Sequence, residues 1–160
     1  KGAPIMPKNL FQNVIFTLMM SFLMVYVMIC YNISLNIGGM SNKVFLMAFG
    51  EMKIMWPVAF LLEFFIVDKL AHALAFRMVT PNDRPIVITL AISAMIICIM
   101  CPIMSLIATI LFKNAGSQFV AVWLQTTFMN FPVAFFWQLM YCGPLIRFLF
   151  GKMFPEKQDA

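Results

Sequence analysis

One acid stands where an acid is costly. Glu63 lies in Trp56-Pro57-Val58-Ala59-Phe60-Leu61-Leu62-Glu63-Phe64-Phe65-Ile66-Val67, a block apolar enough to enter a bilayer. A charged carboxylate there costs on the order of a few kcal/mol, so the group must be neutral, paired or open to a polar cavity. On one reading Glu63 is a protonatable site that a proton and a cationic or hydrophobic ligand occupy in turn. On the other it is a hydrogen-bonded carboxyl that fixes helix contacts, with Asn13, Ser21 or Asn32 of the first apolar run as partners. The same block returns 75 positions later as Phe131-Pro132-Val133-Ala134-Phe135-Phe136-Trp137-Gln138, with Gln138 in the place of Glu63. Two copies of one unit are present, and only the first has the acid.

Other reactive residue types are sparse. His72 is the single histidine, which excludes a multi-histidine metal centre; it lies four residues after Asp68, at helical pairing distance. Cys98 and Cys101, in a chain with 16 methionines, suit the soft ion Cu(I). The same cysteines also continue a strip of small residues, Ala94, Cys98, Cys101 and Ser105, which reads as a helix-packing seam, and no metal is expected. Gln125, Thr126, Thr127 and Asn130 precede Pro132 and either line a site or satisfy a break in the helix. No nucleophile with base and orienter, no phosphate loop and no carboxylate pair occurs. Enzymatic activity and a cofactor are not expected.

The elements that position these groups follow from composition. The 160 residues are 63% hydrophobic and 11% charged, with mean hydropathy +0.94, which marks an integral membrane protein. The charge-free run between Arg84 and Lys113 is long enough, at about 1.5 Å per residue, to exceed a hydrocarbon core roughly 30 Å thick. The expected fold is all-α, with four transmembrane helices near residues 11–35, 55–76, 86–112 and 131–150. They form two tandem two-helix units in the same orientation, over 6–80 and 81–154, in one compact bundle. A short interfacial helix is expected before each second span, opened by Ser41 and by Ser117. Pro57 and Pro132 either start new helices or kink longer ones.

The net charge of +5 is scattered at the ends of apolar runs, which argues against nucleic acid. Placing Lys1, Lys8, Lys69, Arg77, Arg84, Arg147, Lys152 and Lys157 on the cytoplasmic side leaves only Lys43, Lys53 and Lys113 opposite, so the positive-inside rule predicts both termini inside. The four cysteines all fall in apolar runs and carry no redox information.

Particular stretches resemble a known family. Pro7-Lys8-Asn9-Leu10-Phe11-Gln12-Asn13, Ile37-Gly38-Gly39-Met40, the Met55 to Glu63 block and Asp83-Arg84-Pro85 are similar to a family of small bacterial membrane proteins classed as a domain of unknown function, here in tandem. The resemblance covers nearly all of 6–150 and implies fold and location. In architecture the chain also resembles the proteobacterial antimicrobial compound efflux family, with four spans in two tandem pairs and a membrane-embedded glutamate. That family's glutamate lies in its first span, where this chain has no acid.

The functional expectation is a multi-pass protein of the bacterial inner membrane. It is read first as a proton- or cation-linked transporter of small cationic or amphipathic compounds, with Glu63, Asn13, Ser21, Asn32 and Gln138 as binding residues. The alternative is a non-transporting scaffold or accessory subunit. Expected partners are membrane lipid, a small-molecule or ion ligand and, in a homodimer, a second copy.

Overall fold

The structure, a computed structural model, describes residues 7–155; Lys1, Met6 and Lys157 lie outside them. Among the described residues every regular element is helical. Helix α1 (Leu10–Ile37) is followed by α2 (Asn42–Leu62), a π turn (Glu63–Val67) and α3 (Asp68–Ala75), which run on as one rod. Helix α4 (Pro85–Phe112) follows, and a 3-10 turn (Gly116–Gln118), α5 (Phe119–Phe136), a second π turn (Trp137–Cys142) and α6 (Gly143–Met153) form the last rod.

Neighbouring rods run antiparallel. Trp56 Nε1 donates to Ser21 Oγ at 3.3 Å and Tyr26 OH to the carbonyl of Phe45 at 3.5 Å, which pairs the end of one rod with the start of the next. Between α4 and the last rod, Lys113 Nζ reaches Thr126 Oγ1 at 2.8 Å, Asn130 Nδ2 reaches Ser105 Oγ at 3.2 Å and Arg147 Nη2 reaches Ser93 Oγ at 3.5 Å. The last rod also returns to α1, where Phe16 meets Phe150 edge-on with centroids 5.4 Å apart. The result is an up-down-up-down bundle.

Three helices are long and apolar enough to cross a membrane: Leu10–Ile37, Pro85–Phe112 and Gly116–Met153. They mark a membrane protein. The α2–α3 rod has the length but carries Glu51, Lys53, Glu63, Asp68 and Lys69.

Both expected interfacial helices are corrected. Pro57 and Pro132 lie inside α2 and α5, and neither rod is interrupted. An interior proline forfeits one hydrogen bond at about 3 kcal/mol, whereas ending the helix would strip several backbone groups of partners in an apolar setting. Ser41 is the N-cap of a long rod and makes no side-chain cap bond. Ser117 falls within the 3-10 turn, and α5 starts after it.

The first turn does depend on a glycine. Gly38 has φ +82 and ends α1 by donating its N–H to the Ser34 carbonyl, which also accepts from Gly39 at 2.9 Å. Only a residue without Cβ takes that backbone freely. Gly38→Ala is therefore expected to cost about 1 kcal/mol, the left-handed penalty for an L side chain. Gly39→Ala, which meets open space at an ordinary φ, is expected to be near neutral. Unfolding of detergent-solubilised protein by denaturant compares them, and equal costs would refute this role for Gly38.

Candidate functional site

The two π turns sit at matched places in the repeat. In the first, the Asp68 N–H reaches back to the carbonyl of Glu63; in the second, the Gly143 N–H reaches back to that of Gln138. Each turn holds one residue more than an α-turn would, which loosens the ladder where Glu63 and Gln138 stand. Proline lies close by in both copies, Pro57 six residues before Glu63 and Pro132 six before Gln138.

Two cavities meet at these residues. The upper one, about 110 Å³, runs from the end of α1 and α4, where Asn36, Glu51 and Lys113 line it, down to Glu63 and Gln138. The lower one, about 490 Å³, opens at the opposite end and is lined by Asn13, Asp68, His72, Thr89, Ser93 and Arg147 among others. Four residues line both: Met20, Glu63, Ile96 and Gln138. Each comes from a different rod, so together they form a partition across the bundle.

The two halves of that partition differ. Gln138 is 4% exposed, and its Nε2 donates to Met20 Sδ at 3.5 Å; Cys142 Sγ lies 3.4 Å from the same sulfur. Glu63 is half-buried and, among the described residues, makes no hydrogen bond or ion pair. Its carboxyl is therefore available to whatever enters either cavity.

Of the sequence-predicted site residues, Glu63 and Gln138 line both cavities, Asn13 the lower and Asn32 the upper. Asn32 Nδ2 is held by the Met28 carbonyl at 2.8 Å. Ser21 lines neither cavity. It is buried, donates to the Thr17 carbonyl at 2.7 Å and accepts from Trp56, so it joins two helices. None of Asn13, Ser21 and Asn32 bonds Glu63.

The packing seam also lies differently. The buried stripe of α4 steps by four through Thr89, Ser93, Ile97, Cys101, Ser105 and Thr109. Ala94 is half-buried and Cys98 exposed, so of the four predicted seam residues only Cys101 and Ser105 are on that stripe. Cys101 Sγ points to the Thr127 carbonyl at 3.7 Å, and no group of three or more His, Cys, Asp or Glu converges among the described residues.

Arg147 and Lys113 are cavity residues that sequence reading did not place there, whereas Asn130, read as either lining a site or satisfying a helix break, lines the upper cavity. Arg147 is 75 positions after His72, and both line the lower cavity. The repeat offset that relates Glu63 to Gln138 would have found it. His72 Nδ1 lies 2.7 Å from the Asp68 carbonyl and 3.3 Å from Asp68 Oδ1, so this pair forms within one helix, as its spacing predicts.

The family described as "Domain of unknown function (DUF2798)" matches the chain twice, over residues 9–79 and 84–154, and the chain belongs to it as a tandem pair. It is 34% identical to a Bacillus subtilis (strain 168) protein, "Uncharacterized protein YybC", over 97% of this chain and 99% of that protein. No solved structure matches.

The Met20 sulfur is the acceptor for a buried amide. Met20→Leu conserves volume, for which a core usually loses under about 1.5 kcal/mol, but it also orphans the Gln138 donor at a further 1–3 kcal/mol or so. Met19→Leu, which orphans no donor among the described residues, is expected to cost well under that. Thermal melts in detergent compare the two; a Met20→Leu variant as stable as Met19→Leu would remove the sulfur–amide contact from the account.

Proposed function

We propose that this tandem DUF2798 protein is a small carrier of the bacterial inner membrane, in which Glu63 exchanges a proton for a cationic or amphipathic compound. The supporting observation is the position of Glu63: a carboxyl without a partner that borders two cavities opening at opposite ends of the bundle. In hydrocarbon the charged form needs compensation, and a proton or a cation supplies it equally. Arrival of a protonated amine at the neutral carboxyl gives the ion pair and releases one proton; departure of the amine takes one up again. Charge balances at each step, and neither form leaves a bare carboxylate.

The scaffold alternative needs the Glu63 carboxyl fixed by a neighbour's hydrogen bond, and none is present among the described residues. The likeness to the proteobacterial antimicrobial compound efflux family is one of architecture, and this mechanism borrows nothing from that family's first-span glutamate.

In this reading the α2–α3 rod is the fourth span. It is joined to α1 by the turn after Ile37 and returns beside it; Lys43, Asp68 and Lys69 lie toward its ends, while Glu51, Lys53 and Glu63 stand further in. The end that carries Lys8, Lys69, Arg77, Arg84, Arg147 and Lys152 faces the cytoplasm, opposite Lys43, Lys53 and Lys113.

Two expected outcomes test this. Glu63→Gln keeps the melting behaviour of the wild type but loses ligand-dependent proton release, followed with a pH-indicator dye in weakly buffered detergent solution. Release that persists in Glu63→Gln, or a variant that no longer folds, rejects the carrier. Asn82→Cys and Asn36→Cys, both at exposed positions and on a background without native cysteines, are labelled by a membrane-impermeant maleimide from the cytoplasmic and the external face respectively. Labelling of both from one face rejects the four-span arrangement.

A further inference from the structure

The upper cavity holds a second unmatched polar group. Asn130 is 5% exposed; its Nδ2 is tied to Ser105 Oγ at 3.2 Å, and its Oδ1, in the wall of the cavity, has no hydrogen-bond partner among the described residues. A buried carbonyl oxygen in that state costs roughly 1–3 kcal/mol. Ordered water or a ligand donor would relieve it. The surrounding wall is soft and apolar, with Met24, Met28, Met55, Met100 and Met104 lining the same cavity as Asn130. Flexible thioethers adapt to varied shapes and favour aromatic rings. At the rim Glu51 is offset by Lys113, and Glu63 lies at the floor, so the floor carboxyl is the group that favours a cation.

We infer that the upper cavity is a binding site for a small lipophilic primary amine, whose N–H donates to Asn130 Oδ1 while its hydrocarbon body lies among the methionines. This deepens the carrier reading, on which it rests, by naming the substrate class. Size limits the class. This cavity, about 110 Å³, is smaller than the apolar cavity of about 150 Å³ that encloses one benzene ring, so a short alkyl chain fits within it and a single ring fits only by projecting through the open end. A quaternary ammonium ion has no N–H for Asn130 and is disfavoured.

Benzylamine and ethylbenzene have nearly the same shape, and only the first donates. Titration calorimetry of the full chain in micelles, against a micelle-only reference, is expected to give benzylamine at least ten-fold tighter binding than ethylbenzene. Asn130→Leu is expected to weaken benzylamine about ten-fold and to leave ethylbenzene unchanged; Glu63→Gln also weakens benzylamine alone. Should Asn130→Leu fail to fold, the near-isosteric Asn130→Asp replaces it and is expected to bind benzylamine more tightly than the wild type. The inference is overturned if neither compound binds, the cavity then holding water only, or if Asn130 variants shift both compounds alike. The two claims fail separately. Amine binding that depends on Asn130 without proton release at Glu63 removes the carrier and leaves the site, whereas Glu63-dependent proton release with other cations and no benzylamine binding removes the site and leaves the carrier.

Discussion

A backbone in hydrocarbon has no water to complete its hydrogen bonds, and this constraint explains most of what the rods do. It keeps α5 helical through Pro132, and on the proposed four-span reading α2 through Pro57, where a water-exposed chain would have less reason to continue. It also limits how far a helix can be disturbed to aim a side chain. The π turns are the form of disturbance that survives: the Asp68 and Gly143 N–H groups still find acceptors, five residues back instead of four. One extra residue per rod re-aims Glu63 and Gln138 without a broken ladder.

Side-chain donors obey the same rule. Ser21, Thr89, Thr109, Thr126 and Thr127 each donate to the carbonyl four residues earlier, while Trp56 and Trp123 spend their indole N–H groups on Ser21 and on the Pro102 carbonyl. The Pro102 bond ties α5 to α4 at the proline itself. Such bonds hold the bundle where apolar side chains gain nothing by leaving lipid for protein. Against that background, the few polar groups without partners among the described residues, the buried Asn130 Oδ1 and Trp137 Nε1 and the Glu63 carboxyl, stand out as candidates for contact with something else.

Much of this architecture was legible in the chain. The Pro-Val-Ala-Phe repeat identified the tandem units, and apolar run length identified the helices. Glu63 and Gln138 were found as a pair because they share a register in the repeat. What escaped was whatever depends on helix phase. Ser21 has the polarity of a site residue, but its hydroxyl is taken by its own helix and by Trp56, a partner 35 residues away. Cys98 and Cys101 differ by three positions, yet the buried stripe of α4 advances by four, which puts Cys98 outside. Arg147 read as an interfacial charge because it ends an apolar run, and the methionines around the upper cavity were hidden among others on every face. Continuity of the rods was undecidable from proline alone, since the residue permits both a start and a kink.

Covalent fusion of the two copies allows a chemical asymmetry that free copies could not have. If identical single units paired about an axis, the partition would receive two glutamates, and each carboxylate would oppose ionisation of the other. In the fused chain the second place holds a neutral amide already committed to a sulfur, so one acid titrates without a like-charged twin. On the proposed carrier reading this fixes the stoichiometry at one exchangeable group, and the front half and back half are free to diverge in sequence.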